Sequence, residues 1–154
     1  MGANDLPPAR NFGGTTRMHL TPTSVLKASC LCQQAFITLR GPPVRSHYCH
    51  CTICQSLHSA PYALVAVYGS ANLTLPDDAD EKFTKFSPKD GLKVYRCRNC
   101  GVSVCAFVGN YKVWAVYVGA RIMVDGEWRR LKDVPECEGV MHMFYGERQR
   151  DVRH

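Results

Sequence analysis

The sequence predicts one mostly antiparallel β domain with little helix. Its 154 residues fit a single domain, and 45% hydrophobic content is enough to form a core. Short segments rich in β-branched and aromatic residues alternate with turn signals such as Gly41-Pro42-Pro43, and no long stretch keeps a helical period of about 3.6 residues. The predicted strands are residues 24–30, 35–39, 62–68, 81–86, 93–96, 102–108 and 113–118.

Two segments fall outside this predicted sheet. Residues 1–22 carry Pro, Gly and scattered polar residues without a periodic apolar pattern, which predicts a flexible leader. The folded domain is therefore expected to cover residues 23–154. Residues 52–57 lose the strand alternation and predict one helical turn, with Thr52 as its N-terminal cap.

Composition limits the compartment and the partners. The net charge of +6 suits anionic small molecules or nucleic acid without choosing between them. No apolar run approaches the roughly 20 residues that span a bilayer, and the N-terminus lacks a secretory hydrophobic stretch. Nine cysteines in such a chain predict metal ligands, because the cytosol and nucleus keep thiols reduced. We expect a cytoplasmic protein, with the nucleus open, and no membrane partner.

Seven of the nine cysteines fall into three groups with the spacing of metal ligands. The groups are Cys30/Cys32, Cys49/Cys51/Cys54 and Cys97/Cys100. Residues two apart on a strand share a face, so the first pair and the pair Cys49/Cys51 can each face one metal ion. The third group predicts a zinc-knuckle turn, in which Gly101 takes a positive φ and backbone N–H groups approach the thiolates.

Two pairs that are distant in sequence suit a closed, tetrahedral zinc site that stabilises the fold, and this role suits Cys30/Cys32 with Cys97/Cys100. The cost of the charge of four thiolates is expected to be reduced by nearby donors or by cations such as Arg96 and Arg98. Cys49/Cys51/Cys54 would then leave the open fourth position typical of catalytic zinc. Spacing alone leaves two alternatives: the groups could share ligands, or a fourth protein ligand could make the second site structural.

Four ordered motifs lie between about Lys27 and Tyr145. They are Ser29-Cys30-Leu31-Cys32, Gly41-Pro42-Pro43, Cys49-His50-Cys51-Thr52-Ile53-Cys54 and Arg96-Cys97-Arg98-Asn99-Cys100-Gly101. In these motifs the chain resembles the glutathione-dependent formaldehyde-activating enzyme and centromere protein V family. The resemblance implies a tent-shaped antiparallel β fold and two zinc ions. It implies a structural zinc at Cys30, Cys32, Cys97 and Cys100 and a second zinc at Cys49, Cys51 and Cys54.

The chain also departs from the family pattern. Residues 55–60 lack the basic pair and the glycine that follow the central motif in bacterial members, whereas residues 142–146 resemble the family's final histidine-bearing strand. Outside the motifs, His50 is expected to point away from the neighbouring thiols, and His58 to be a surface histidine rather than a base or a fourth ligand. Cys105 is expected to be a buried small residue, and Cys137 an exposed spare thiol.

The three-thiolate set and the resemblance imply a zinc-dependent carbon–sulfur lyase. Such a protein forms or cleaves a thiol–aldehyde adduct such as S-(hydroxymethyl)glutathione, with Cys49, Cys51 and Cys54 holding a zinc ion that lowers the pKa of the incoming thiol. The expected partners are a small thiol such as glutathione and an aldehyde such as formaldehyde, and not nucleic acid. The alternative is a non-catalytic zinc-stabilised binding module for a protein or nucleic-acid partner, which the net charge of +6 favours.

Overall fold

The computed structural model describes residues 19–117, 121–124, 127–130, 134–138 and 141–149, so the predicted leader up to residue 18 lies outside the described residues. The protein is a single, mostly β domain, as the sequence predicts, and its strands form two sheets. In chain order the elements are β1 Val25–Ser29, β2 Phe36–Arg40, β3 Arg45–Cys49, α1 Thr52–His58, β4 Ala63–Gly69, β5 Leu73–Thr74, α2 Ala79–Lys82, β6 Phe83–Lys89, β7 Leu92–Cys97, β8 Ser103–Val108, β9 Val113–Tyr117, β10 Arg121–Val124, β11 Glu127–Arg130 and β12 His142–Met143.

The strands form a five-stranded sheet in the order β11-β10-β1-β2-β5 and a seven-stranded sheet in the order β12-β3-β4-β9-β8-β7-β6. Neighbouring strands are antiparallel throughout, except that β12 runs parallel to β3 at one edge of the larger sheet. The Tyr48 and His50 amides donate there to the carbonyls of Met141 and Met143. The segment of residues 141–149 is thereby held against the end of β3, where the central cysteine motif begins.

The two faces of the seven-stranded sheet carry different cores. Tyr68, Tyr95 and Val116 face the five-stranded sheet and pack with Ile37 and Leu39 in the main core. Residues of the opposite parity form a second, smaller core on the other face, because side chains alternate along each strand. This second core contains Cys49, Cys54, Val65, Val67, Val94, Ala106 and Tyr117.

Both helices differ from the sequence prediction. The N-terminal cap of α1 is Cys51 instead of Thr52, because the Cys51 sulfur accepts the Cys54 amide. Residues predicted to begin a strand at Glu81 instead complete the single turn of α2, in which the Glu81 amide donates to the Asp78 carbonyl. No helix in the described part of the chain is long and apolar enough to cross a membrane.

Strand β3 is absent from the predicted strands because its sequence, Arg-Ser-His-Tyr-Cys, lacks apolar alternation. Both faces of this strand are nevertheless covered, and Ser46 and His47 are both buried. The short strands β5, β10 and β11 are also missing from the prediction, whereas β12 lies within residues 142–146, where the resemblance implies a histidine-bearing strand. Pairing with longer neighbours, rather than local propensity, holds such strands in a sheet.

Candidate metal centres

Cys30, Cys32, Cys97 and Cys100, the four-thiol cluster, bring their sulfur atoms within 4.8 Å of one another. The Sγ atoms of Cys30 and Cys32 are 3.4 Å apart, and those of Cys32 and Cys97 are 3.7 Å apart. A tetrahedral zinc ion with Zn–S bonds of about 2.3 Å requires sulfur separations of about 3.8 Å. The four sulfurs therefore fit a zinc ion bound between the ends of β1 and β7.

Each half of the four-thiol cluster is a tight turn. The sequence predicts that Cys30 and Cys32 are a pair on a strand. Instead, the two residues follow β1 and form a turn in which Gln33 has φ 64°. The Gln33 amide donates to the Cys30 carbonyl at 3.2 Å. In the second half, Gly101 has φ 73° and its amide donates to the Cys97 carbonyl at 3.0 Å, which confirms the predicted glycine turn. Both turns direct two thiols to one point.

N–H donors surround the sulfurs of the four-thiol cluster. The Ala35 amide donates to the Cys30 sulfur at 3.4 Å. Burial by itself raises the pKa of Cys32, but hydrogen bonds from the Asn99 side chain and the Gln34 amide outweigh it and lower that pKa to about 6. Burial first, and then contacts with the other thiols, raise the pKa of Cys30 to about 12, and burial raises the pKa of Cys97. Cys32 therefore ionises most readily, and a cation is needed for all four thiols to ionise.

The prediction that Arg96 and Arg98 offset the thiolate charge is wrong. Arg98 is exposed, and its guanidinium donates to the Asp80 carbonyl at 3.1 and 3.3 Å. Arg96 precedes Cys97 on β7 and so faces the opposite side of the sheet. N–H groups, rather than cationic side chains, thus solvate these sulfurs.

Cys49, Cys51 and Cys54, the three-thiol cluster, lie on the second core, also with all sulfurs within 4.8 Å of one another. Cys49 ends β3, Cys51 caps α1 and Cys54 is in the first turn of that helix, so Cys51 is not part of the predicted strand pair. The Cys49 and Cys51 sulfurs are 3.5 Å apart. The described residues offer these three donors and no fourth at the same point.

The three thiols differ in exposure and in acidity. Cys49 and Cys54 are buried, whereas Cys51 is partly exposed. Contacts with Cys49 and then Cys54 lower the pKa of Cys51, because both thiols and the Cys54 amide stabilise its thiolate. Contacts with Cys49 and then Cys51 raise the pKa of Cys54. The first negative charge of the cluster therefore resides on Cys51, and a cation is needed for all three to ionise. These donors fit a metal ion with one open coordination position.

The segment of residues 141–149 supports the loop that carries the three-thiol cluster. A Glu147 carboxylate oxygen accepts the Thr52 amide at 3.0 Å, and the Gln55 side chain donates to the Glu147 carbonyl at 2.9 Å. A further contact between this segment and the loop is a hydrogen bond of 2.8 Å between the rings of His50 and His142. His50 thus contacts His142 and is not among the clustered metal donors, in line with its predicted structural role.

His58 is not the surface histidine that the sequence predicts. Its ring packs edge-on against Tyr117, with 4.4 Å between centroids, and its Nε2 atom is buried with no hydrogen-bond partner among the described residues. Burial and then the charge of Arg96 lower the pKa of His58. Burial and then the charge of Cys54 raise the pKa of Tyr117. His58 is therefore near Arg96, and its partner Tyr117 is near the three-thiol cluster.

An open cleft of about 430 Å³ lies on the same face of the sheet as the three-thiol cluster. One wall is α1, and the other is formed by β6 and β7. The residues that line it are Thr52, Ile53, Ser56, Leu57, Phe86, Pro88 and Arg96. Its volume falls in the range of about 300 to 1,000 Å³ that is usual for small-molecule sites.

Comparison with known proteins agrees with this architecture. A sequence model of the family described as glutathione-dependent formaldehyde-activating enzyme matches residues 25–144, which include all seven clustered cysteines. The chain belongs to this family. The crystal structure of a Rhodobacter sphaeroides protein is similar to this member of the formaldehyde-activating enzyme family with a TM-score of 0.54 and 20% sequence identity, covering 76% of this chain and 99% of that chain. At that identity the similarity concerns the fold alone.

Two cysteines of this formaldehyde-activating enzyme family member lie outside both clusters. Cys105 is fully buried, as predicted. Cys137 is also fully buried, so the prediction of an exposed thiol is wrong. The local sequence Glu-Cys-Glu indicates exposure, but this turn packs on the main core beside Tyr68. Burial raises the pKa of Cys137 to about 12.

Sequence reasoning missed the cleft and the contacts of Glu147. Phe86 and Arg96 lie on the two strands of a hairpin, and in the sequence Arg96 stands out only as the first residue of the motif that contains Cys97 and Cys100. The sequence contained one signal for the position of Arg96. Arg96 is next to Cys97, so on a regular strand its side chain must face away from the four-thiol cluster.

Proposed function

We propose that this protein is a zinc-dependent carbon–sulfur lyase that forms or cleaves a thiol–aldehyde adduct such as S-(hydroxymethyl)glutathione. Cys49, Cys51 and Cys54 are the proposed catalytic metal ligands. The observation that carries the proposal is that three thiols converge with no fourth donor among the described residues. Membership of the glutathione-dependent formaldehyde-activating enzyme family supports glutathione and formaldehyde as the substrate pair.

The four-thiol cluster has a separate, structural role in this proposal. The cluster brings together two turns that are distant in sequence. Cys32 and Cys97 are 65 residues apart along the chain, and their sulfur atoms are 3.7 Å apart. Four protein ligands leave no position for a substrate, which is the arrangement of structural zinc sites. Cys30, Cys32, Cys97 and Cys100 would therefore contribute folding free energy.

In the reaction, the chain holds a thiol beside an aldehyde carbon. A zinc ion at the three-thiol cluster would supply the positive charge that lowers the pKa of a substrate thiol at the open position. A sulfur–carbon bond forms, the carbonyl electron pair moves to oxygen, and the proton lost by the thiol is gained by that oxygen. The reverse sequence releases the thiol and the aldehyde. Partly exposed Cys51 marks the side of the cluster that solvent reaches.

The donor set favours this chemistry over hydrolysis. Three anionic thiolates reduce the Lewis acidity of a metal ion more than neutral imidazoles do, so activation of a water molecule is less favourable. Binding and orienting a soft thiol requires less Lewis acidity of the metal ion. The proposed rate effect comes mainly from bringing the thiol and the aldehyde together.

The test is zinc content combined with adduct turnover in Cys54→Ser. We expect the wild-type chain to bind two zinc ions and Cys54→Ser to bind one, with the circular dichroism spectrum retained. Turnover of S-(hydroxymethyl)glutathione, measured by NMR exchange above the uncatalysed rate, should be lost. Cys105→Ala is the matched control, because it removes a cysteine outside both clusters. If Cys54→Ser unfolds as completely as Cys97→Ser, the second site is structural and the lyase proposal fails.

A further inference from the structure

Arg96 is a cation without an acidic partner in the cleft beside α1. Its side chain is half-buried, with the guanidinium 5.3 Å from the Phe86 ring centroid and Nε donating to the Ser103 hydroxyl at 3.4 Å. No ion pair involves Arg96 within the described part of the chain. The ring and the hydroxyl fix the side chain while leaving its terminal nitrogens for another acceptor.

The rest of the cleft lining is uncharged. Arg96 is the one charged side chain among the described residues that line the cleft, which otherwise offers hydroxyl groups and apolar surface. A cleft of this composition attracts an anionic group and provides no carboxylate to receive an ammonium group. Planar guanidinium binds a carboxylate through two parallel hydrogen bonds.

The cleft also adjoins the three-thiol cluster. Its wall residues Thr52 and Ile53 are the immediate chain neighbours of Cys51 and Cys54, and consecutive Cα atoms are about 3.8 Å apart. A peptide thiol whose carboxylate is on the next residue holds its sulfur and its carboxylate within about two residue lengths, roughly 7 Å, of each other. Such a ligand suits a cleft and a cluster that share the start of α1.

We propose that Arg96 binds the glycyl carboxylate of glutathione in this cleft, with the cysteinyl sulfur directed to the three-thiol cluster. The inference rests on the proposed function and deepens it by assigning a residue that selects the thiol. The glycyl end fits better than the γ-glutamyl end, because the latter carries an ammonium group for which the lining has no acidic partner. Arg96 is thus a specificity-determining residue of the reaction.

Isothermal titration of the zinc-loaded full chain tests this inference with three ligands. Glutathione carries both the thiol and the carboxylate, S-methylglutathione carries the carboxylate without a free thiol, and the glycyl ethyl ester of glutathione carries the thiol without that carboxylate. The proteins are wild type, Arg96→Gln, Arg96→Lys and Lys93→Gln. Lys93 is an exposed cation on the same strand and outside the cleft lining, so it is the matched charge control.

We expect wild type and Lys93→Gln to bind glutathione about tenfold or more tightly than its glycyl ester, and Arg96→Gln to bind the two equally. Arg96→Gln should bind S-methylglutathione more weakly than wild type does, by the same factor. Arg96→Lys should retain part of the preference for glutathione over its glycyl ester, together with the wild-type melting temperature. Unchanged discrimination in Arg96→Gln, or equal binding of glutathione and its ester by wild type, would overturn the inference. Failure of the proposed function looks different: glutathione would bind no more tightly than S-methylglutathione.

Discussion

Arg96 and Cys97 are consecutive residues of β7 whose side chains lie on opposite faces of the seven-stranded sheet. Cys97 packs in the main core and belongs to the four-thiol cluster, whereas Arg96 lines the cleft. The pleat of one strand therefore connects the proposed structural zinc site to the proposed substrate site. Loss of metal at the four-thiol cluster is expected to disturb the position of Arg96.

The four-thiol cluster should be required for folding. Structural zinc contributes about 10 to 16 kcal/mol in small zinc-binding peptides, which is as large as the usual net stability of a domain. We expect Cys97→Ser to bind one zinc ion fewer and to lose its cooperative thermal transition. Metal analysis and circular dichroism measure both effects.

Cys105→Ala is the control for that experiment, because Cys105 is a fully buried thiol that belongs to neither cluster. It should retain wild-type zinc content and lose only about 1 to 2 kcal/mol, as for a small core truncation. A Cys97→Ser protein that melts like Cys105→Ala would contradict the structural role of the cluster.

Glu147 should stabilise metal binding at the three-thiol cluster selectively. Glu147→Ala removes the carboxylate that accepts the Thr52 amide, a hydrogen bond worth about 1 kcal/mol at an exposed site. We expect one of two zinc ions to pass to a competing chelator several-fold faster than in wild type. Glu138→Ala, an exposed carboxylate in the neighbouring turn, should release zinc like wild type. Equal acceleration for both ions would indicate a global loss of stability instead.

Cys105 and Cys137 should resist alkylation in the native protein. Both thiols are fully buried, and burial raises the pKa of each, that of Cys137 to about 12. Only the thiolate reacts readily, so iodoacetamide at neutral pH has almost no target at either position. Mass spectrometry of peptides measures the alkylation of each cysteine in the native and in the denatured sample. Rapid native labelling of Cys137 would show that its turn opens away from the main core.

His58 should lower stability as the solution becomes acidic. Its pKa lies below the ordinary 6.5 because burial, and then the charge of Arg96, disfavour the protonated ring. As pH falls below about 6.5, the unfolded chain takes up a proton that the folded chain accepts only at lower pH, so folding stability decreases. His58→Leu removes this effect.

The measurement is the difference in melting temperature between His58→Leu and wild type at about pH 7.5 and about pH 5.5. We expect the difference to shift in favour of the variant at the lower pH, with zinc content followed at both values. A difference independent of pH would mean that His58 titrates alike in the folded and unfolded chains.

Much of the fold follows from local sequence. Strands such as β4 and β9 combine β-branched residues with flanking turn signals. Their observed bounds differ by only one residue from the predicted ranges 62–68 and 113–118. Strand β3 and the burial of Cys137 were not predictable in this way. Ser46 and Cys137 become buried because the turn at Val134 to Cys137 packs on the main core, and the Ser46 hydroxyl donates to the Glu136 carbonyl.

The sequence by itself determined which cysteines form groups, because the spacing of metal ligands is a local property. Cys97, Cys100 and Gly101 specify a tight turn wherever the strand ends. Only the tertiary structure decided which groups meet: packing of the two sheets against each other brings Cys32 to Cys97 and leaves Cys49, Cys51 and Cys54 on the other face of the seven-stranded sheet. It also decided that Arg96 lies in a cleft with Phe86, since contacts between distant residues depend on sheet register and not on local propensity.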